Sequence, residues 1–249
     1  MKLLALCIYF FATHTSYALT VDNESQLSVI QTGGNAVTET FNAKTESIFK
    51  TESKWEYTLS GHYTLASAEI VDENGDTVMQ ENAKNWSLLL KPEKNLSDKL
   101  SIFLQAQYEG NEFAGFSQRD NYDIGGKYKL INEKKRKLSI EAGFRYTVER
   151  RSDPAADVEG VIDDEKGRLF SEYKVVNSEN LRYKFWVEYI PNFTNNTDYL
   201  INFEPSATVT LSDNFSLKLA YLGQYDNQPA VKENEYLDFT YTTSILIKY

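Results

Sequence analysis

Few residues in this chain could carry chemistry, and their spacing is informative. Of its two histidines, His14 lies in an apolar leader, leaving His62 as the general-base candidate. Ser60 stands two residues before it, and Glu56 lies earlier in the same every-second-residue row. A lipid-acting hydrolase needs its nucleophile within hydrogen-bond reach of the base. Same-face neighbours on one strand are roughly 7 Å apart, so any partner of His62 must come from a neighbouring strand. The single cysteine, Cys7, also lies in the leader, which removes thiol chemistry, disulfides and cysteine metal sites from the rest. Two acidic stretches contain no base. Ile70 to Asn82 holds Asp72, Glu73, Asp76 and Glu81; Ser152 to Glu165 holds Asp153, Asp157, Glu159, Asp163, Asp164 and Glu165. Carboxylate clusters attract divalent cations, but D-E-N-G-D departs from the EF-hand spacing. The expectation is a solvated acidic mouth with no metal and no cofactor.

The remaining charges recur with period two. Lys44 and Glu46, Asp123 and Lys127, and Glu141, Arg145 and Glu149 share a parity within their segments. So do Arg168 with Glu172, and Arg182 with Glu188; Glu109, Glu204, Lys218 and Asp238 occupy equivalent polar rows. Side chains of a strand alternate between faces, so such rows define one polar face of a sheet. Leu138, Ile140, Ala142, Phe144, Tyr146 and Val148, which alternate with the Glu141 row, define the apolar face.

The elements that position these rows are best seen at the end of the chain. In Glu235–Tyr249 one face reads Leu237, Phe239, Tyr241, Thr243, Ile245, Ile247, Tyr249, and the other is mainly polar. Such a run exceeds the usual strand of about 5–6 residues and suffices for a tilted bilayer crossing of roughly 9–11. Twelve segments of this kind are expected, at about 24–33, 37–50, 54–69, 83–93, 98–110, 117–131, 136–150, 166–176, 180–191, 198–211, 214–226 and 235–249. Every second connection is short, and three of those between, Ile70–Asn82, Arg151–Glu165 and Asn227–Asn234, are long, as in a transmembrane up-and-down barrel with both ends on one side. Tyr63, Tyr108, Tyr146, Tyr189, Tyr199, Tyr225 and Tyr236 fall near one rim, and Trp55, Tyr57, Tyr128, Tyr183, Phe215 and Tyr249 near the other. Pro205, inside a regular segment, predicts a bulge.

Composition agrees. Mean hydropathy is −0.48, yet 14% of residues are aromatic, as expected where only alternate residues meet lipid. Net charge of −10 disfavours nucleic acid as a partner. Residues 1–18, with Lys2, a short apolar core and Ser16-Tyr17-Ala18, have the form of a cleavable signal peptide, leaving 19–249 as one all-β domain.

Three stretches carry a resemblance: the Thr32-Gly33-Gly34-Asn35 corner, E-G-N-E-F-A-G-F (109–116) followed by Y-D-I-G-G-K-Y-K-L-I (122–131), and the terminal T-Y-T-T-S-I-L-I-K-Y. Here the chain resembles the salt-induced outer-membrane proteins, a group of unknown function. The resemblance implies a Gram-negative outer-membrane barrel and transfers no catalytic residue. The expected activity is a narrow channel for ions or small solutes, linked to salt or osmotic stress. A closed structural barrel and a lipid-acting enzyme using His62 are the alternatives. Expected partners are outer-membrane lipids, the permeating solutes, and the barrel-assembly machinery, addressed through the last strand.

Overall fold

The computed structural model describes residues 19–32, 37–151, 160–229 and 236–248. Within them the chain forms β1 (Leu19–Thr32), β2 (Thr38–Thr51), β3 (Trp55–Val71), β4 (Thr77–Asn95), β5 (Leu100–Asn111), β6 (Phe116–Asn132), β7 (Arg136–Arg151), β8 (Val161–Val176), β9 (Leu181–Pro191), β10 (Tyr199–Thr210), β11 (Phe215–Asp226) and β12 (Leu237–Lys248). Each strand pairs antiparallel with its sequence neighbours, and β12 returns to β1, closing the barrel. Closure satisfies backbone groups that lipid cannot, which is why strands cross a membrane only as barrels.

Alternation drives the fold. On β5, Leu100, Ile102 and Leu104 stand 43–55% exposed, while Ser101, Phe103 and Gln105 between them are at most 6% exposed. The polar residues are therefore inside and the apolar ones outside, the reverse of a water-soluble barrel and the arrangement of a transmembrane one. At the long-hairpin end, the rings of Tyr189, Tyr199, Tyr225 and Tyr236 follow one another at 5.8–6.4 Å. Trp55 stacks on Tyr57 at 5.9 Å at the short-turn end. Tyr249 and the Gly33–Ala36 corner lie outside the described residues.

Three strands begin earlier than expected: β1 at Leu19, β4 at Thr77 and β8 at Val161. In β4 the added residues continue hairpin pairing beyond the aromatic row, where both faces meet water and no alternation is required; in β8 they reach the aromatic row, Glu165 pairing with Tyr146, with acids on both faces. The loop expected at 70–82 shrinks accordingly to a turn at 72–76. There Asp72 accepts the backbone N–H groups of Asn74 and Asp76, both at 2.9 Å, and Gly75 takes the left-handed φ of 85° that only glycine adopts freely. Pro205 makes no bulge. The β10–β11 register is the same on both sides of it, Phe203↔Gly223 and Ser206↔Ala220; the ladder is interrupted where proline has no N–H to donate.

Candidate functional site

Twelve strands about 4.8 Å apart and tilted about 40° enclose a backbone cylinder roughly 24 Å across. What fills it is decided by the inner rows. The register sets Lys44 beside His62, Asp123 beside Arg145, and Lys127 beside Glu141, so these face the lumen together. By the same ladders Glu46, Glu109, Glu149, Arg168, Glu172, Arg182, Glu188, Glu204, Lys218 and Asp238 also lie on the inner face.

One side of the lumen is filled. Glu141 on β7 accepts Lys91 from β4 at 2.6 Å and Arg168 from β8 at 2.8 Å. Asp123 takes Arg145 in a two-pronged pair at 2.6 and 2.9 Å and also accepts Gln105 at 2.9 Å. Glu188 on β9 is bound by Arg168 at 2.5 Å and Arg145 at 3.3 Å. Lys127 joins Glu93 at 3.1 Å. Beneath this network the Phe103 ring carries Lys91 at 4.3 Å and Arg168 at 5.8 Å, favourable positions for cations over an aromatic face. The ring rests on Gly125, where an added Cβ would come within 2.7 Å of it. Asp123, Glu141, Arg145 and Arg168 are only 3–5% exposed. Toward the hairpin end Arg119 joins Glu149 at 2.6 Å and lies 3.8 Å from the Phe116 ring centre.

The opposite side is open. Thr40, Asn42, Lys44 and Glu46 on β2, Thr58, Ser60 and His62 on β3, and Thr242 on β12 face inward yet remain half-exposed. They are short, mostly hydroxylated or amide side chains, with few charges among them. Lys44 faces Glu204, Lys184 and Lys218 across this side and makes no ion pair among the described residues. Lys218 holds Glu204 at 2.9 Å, and Glu172 lies between Lys174 at 2.7 Å and Lys184 at 3.2 Å. Arg182 and Lys248 are neighbours near the short-turn end, whereas Asp238 is exposed at the upper end of β12.

His62 is a member of a polar trio. Its Nε2 lies 3.1 Å from Asn42 Nδ2 and 3.0 Å from Thr64 Oγ1, and Asn42 also donates to Thr64 at 2.7 Å. Neither Ser60 nor Glu56 is hydrogen-bonded to it among the described residues. The acidic stretches separate. Asp72, Glu73 and Asp76 sit at the tip of the β3–β4 hairpin, eight or so residues and about 20 Å above Tyr63. Asp163 belongs to β8, on the outer face, where it accepts the Tyr146 hydroxyl at 3.1 Å. Asp164 is inside the barrel beside Lys166 at 3.3 Å. Asp153, Asp157 and Glu159 lie outside the described residues. The described carboxylates therefore do not ring one mouth.

Sequence reading missed Lys91, Glu93, Arg119 and Lys166, all in the lumen. Arg119 and Lys166 share parity with Asp123 and Arg168, so extending those rows would have found them. Lys91 and Glu93 are hidden by the run Leu88-Leu89-Leu90 and by Pro92, which blur the alternation of β4.

The architecture is similar to that of the NanC porin: TM-score 0.51 at 10% identity, covering 92% of this chain and 98% of that one. The KdgM porin aligns at 0.47 and 8%, covering 92% and 99%; the translocator domain of the autotransporter NalP from Neisseria meningitidis aligns at 0.44 and 10%, covering 98% and 92%. At such identities the likeness is one of fold. Among curated proteins none matches the sequence significantly. Residues 25–249, nearly the whole barrel, match the model of one family: the chain belongs to the DUF481 family, described as proteins of unknown function.

Proposed function

We propose that the protein is a narrow outer-membrane channel for ions or small polar solutes, with the short turns in the periplasm and the long hairpins outside. The observation that carries this is the asymmetry of the lumen. Buried ion pairs fill the β4–β9 side, while the inner residues of β2 and β3 stay half-exposed and hydroxylated. A water-filled path off the barrel axis follows, and it passes Lys44 and His62, which face Glu204. Acids and bases are paired through most of the lumen, so selectivity is weak and rests on Lys44. The acidic hairpin tip stands farther from the opening than the Debye length of about 8 Å at physiological salt and adds little cation focusing. A role in salt or osmotic stress, and delivery to the assembly machinery through β12, belong to the same reading.

The test is single-channel conductance of the refolded protein in a planar bilayer under a salt gradient. Discrete steps are expected, reduced at least twofold by Ser60→Trp on the inner face of β3 and unchanged by Leu59→Trp on its lipid face. Lys44→Glu should move the reversal potential toward cations. Folded, inserted protein without conductance would instead favour a closed structural barrel, the reading to which the ion pairs spanning β4 to β9 lend support. The His62 trio does not favour catalysis, because the ring nitrogen that would serve as base is already shared by Asn42 and Thr64.

A further inference from the structure

The wall of the barrel is not equally paired all round. Neighbouring strands elsewhere share between eight and seventeen register pairs, but β1 and β12 share four, Glu24↔Lys248 to Leu27↔Ile245. Above these, Ser28–Gln31 of β1 and the facing Tyr241–Ser244 of β12 have no partner across the seam among the described residues. At about 3.4 Å per residue and a tilt near 40°, four unpaired residues on each strand leave an opening roughly 10 Å tall. It begins near mid-membrane, on the hairpin side of the four pairs. Strand edges without partners are not tolerated against bare hydrocarbon, so something that is neither sheet nor plain lipid chain is expected to meet them.

Four further features converge there. The opening lies on the half-exposed, hydroxylated side of the lumen, with Thr240 and Thr242 immediately behind it. Its outer lips are apolar: Val29 is 69% exposed on one, and Phe239 and Tyr241 are 60% and 71% exposed on the other, stacked around Tyr221. At its lower corner the inward Ser244 hydroxyl is buried without a hydrogen-bond partner. From that corner an apolar groove of about 540 Å³ runs over the outer wall past Leu27, Gly61, Tyr63 and Trp86.

We propose that this seam is a lateral entrance, and that it binds a membrane amphiphile with its polar head in the hydroxylated half of the lumen and its acyl chain passing out between β1 and β12. The head group supplies the hydrogen bonds that the strand edges, Thr240, Thr242 and Ser244 can make, and the chain lies against the apolar lips and groove. A second copy of this chain would pair the edges but leave the connected luminal space unused. The inference rests on the open lumen proposed above and adds the route and the ligand class.

The experiment uses phosphatidylcholine vesicles whose acyl chains are brominated, with tryptophan as reporter in a Trp55→Phe/Trp86→Phe/Trp186→Phe background. Thr242→Trp faces inward at the opening; Thr208→Trp faces inward where β10 is fully paired. Bromolipid is expected to quench Thr242→Trp at least threefold more than Thr208→Trp. Thr240→Trp, at an exposed position, serves if Thr242→Trp does not fold. Equal protection of both reporters would overturn the proposal, whether zipped strands or a second copy closed the wall. Conductance of the same variants separates the two readings: steps without quenching reject the lateral entrance alone, and quenching without steps rejects the through-channel alone.

Discussion

Replacing Glu141 by glutamine tests whether the filled side of the lumen is sealed. Three cations lean on this carboxylate, Lys91 at 2.6 Å, Arg168 at 2.8 Å and Lys127 at 3.8 Å. Arg168 keeps Glu188, and Lys127 keeps Glu93. Lys91 keeps no other carboxylate among the described residues, and its side chain is only 13% exposed. Removing one partner of a buried pair costs about 3–5 kcal/mol. With two of three cations still neutralised, Glu141→Gln is expected at the lower end, about 3 kcal/mol. Adding Lys91→Met removes the stranded charge and leaves a flexible side chain against Phe103, so the double variant should recover about half of the loss. Equilibrium urea unfolding of the protein in lipid vesicles reads both numbers; with a slope near 2 kcal/mol/M the single variant lowers the midpoint by about 1.5 M. A loss below about 0.5 kcal/mol, the size of a solvated surface pair, would refute the reasoning. It would mean that water reaches Glu141 and that the lumen is not divided into a filled and an open half.

Two further outcomes follow from local geometry. At Gly125 an added Cβ meets the Ala142 carbonyl at 2.6 Å and Phe103 at 2.7 Å, so Gly125→Val should displace the ring under the network and cost about 3 kcal/mol, the upper part of the overpacking range, read in the same unfolding assay. Backbone N–H donors, that of Asp76 foremost, hold the Asp72 carboxyl below its ordinary value. A depressed carboxylate stabilises its turn above the ordinary aspartate value and loses that contribution as pH falls through the lowered one. Amide exchange at Gly75 and Asp76 should therefore quicken only in that acidic window; onset at or above pH 4 would contradict the hydrogen bonding.

The wall of this barrel was legible in the sequence because each strand encodes its own two faces. The Leu100–Tyr108, Leu138–Val148 and Leu237–Ile247 rows give parity without knowledge of any neighbour, and parity alone places Glu141, Arg145 and Glu188 inside. Boundaries failed where an apolar row is absent: Thr77–Asn82 continues as strand in water, and Val161–Glu165 puts acids on both faces, Asp163 outward and Asp164 inward, so no apolar row marks it. Pro205 misled because a missing donor can be absorbed by a gap in one ladder as readily as by a bulge.

What only the tertiary structure decided is which side of the lumen is occupied. Lys91 and Glu141 are fifty residues apart and meet through the closed interior, and His62 takes Asn42 from the adjacent strand, as expected, but also Thr64 two residues along its own strand, where side-chain reach bridges a spacing that excluded it on backbone distance alone. Contacts across a barrel depend on strand number, stagger and side-chain reach together, none of which a single strand carries. The short β1–β12 seam is of the same kind. The pattern of Leu237–Ile247 is that of a fully paired strand, and only the closing register, set by the eleven other pairings around the circumference, leaves Tyr241–Ser244 without a partner on the β1 side among the described residues.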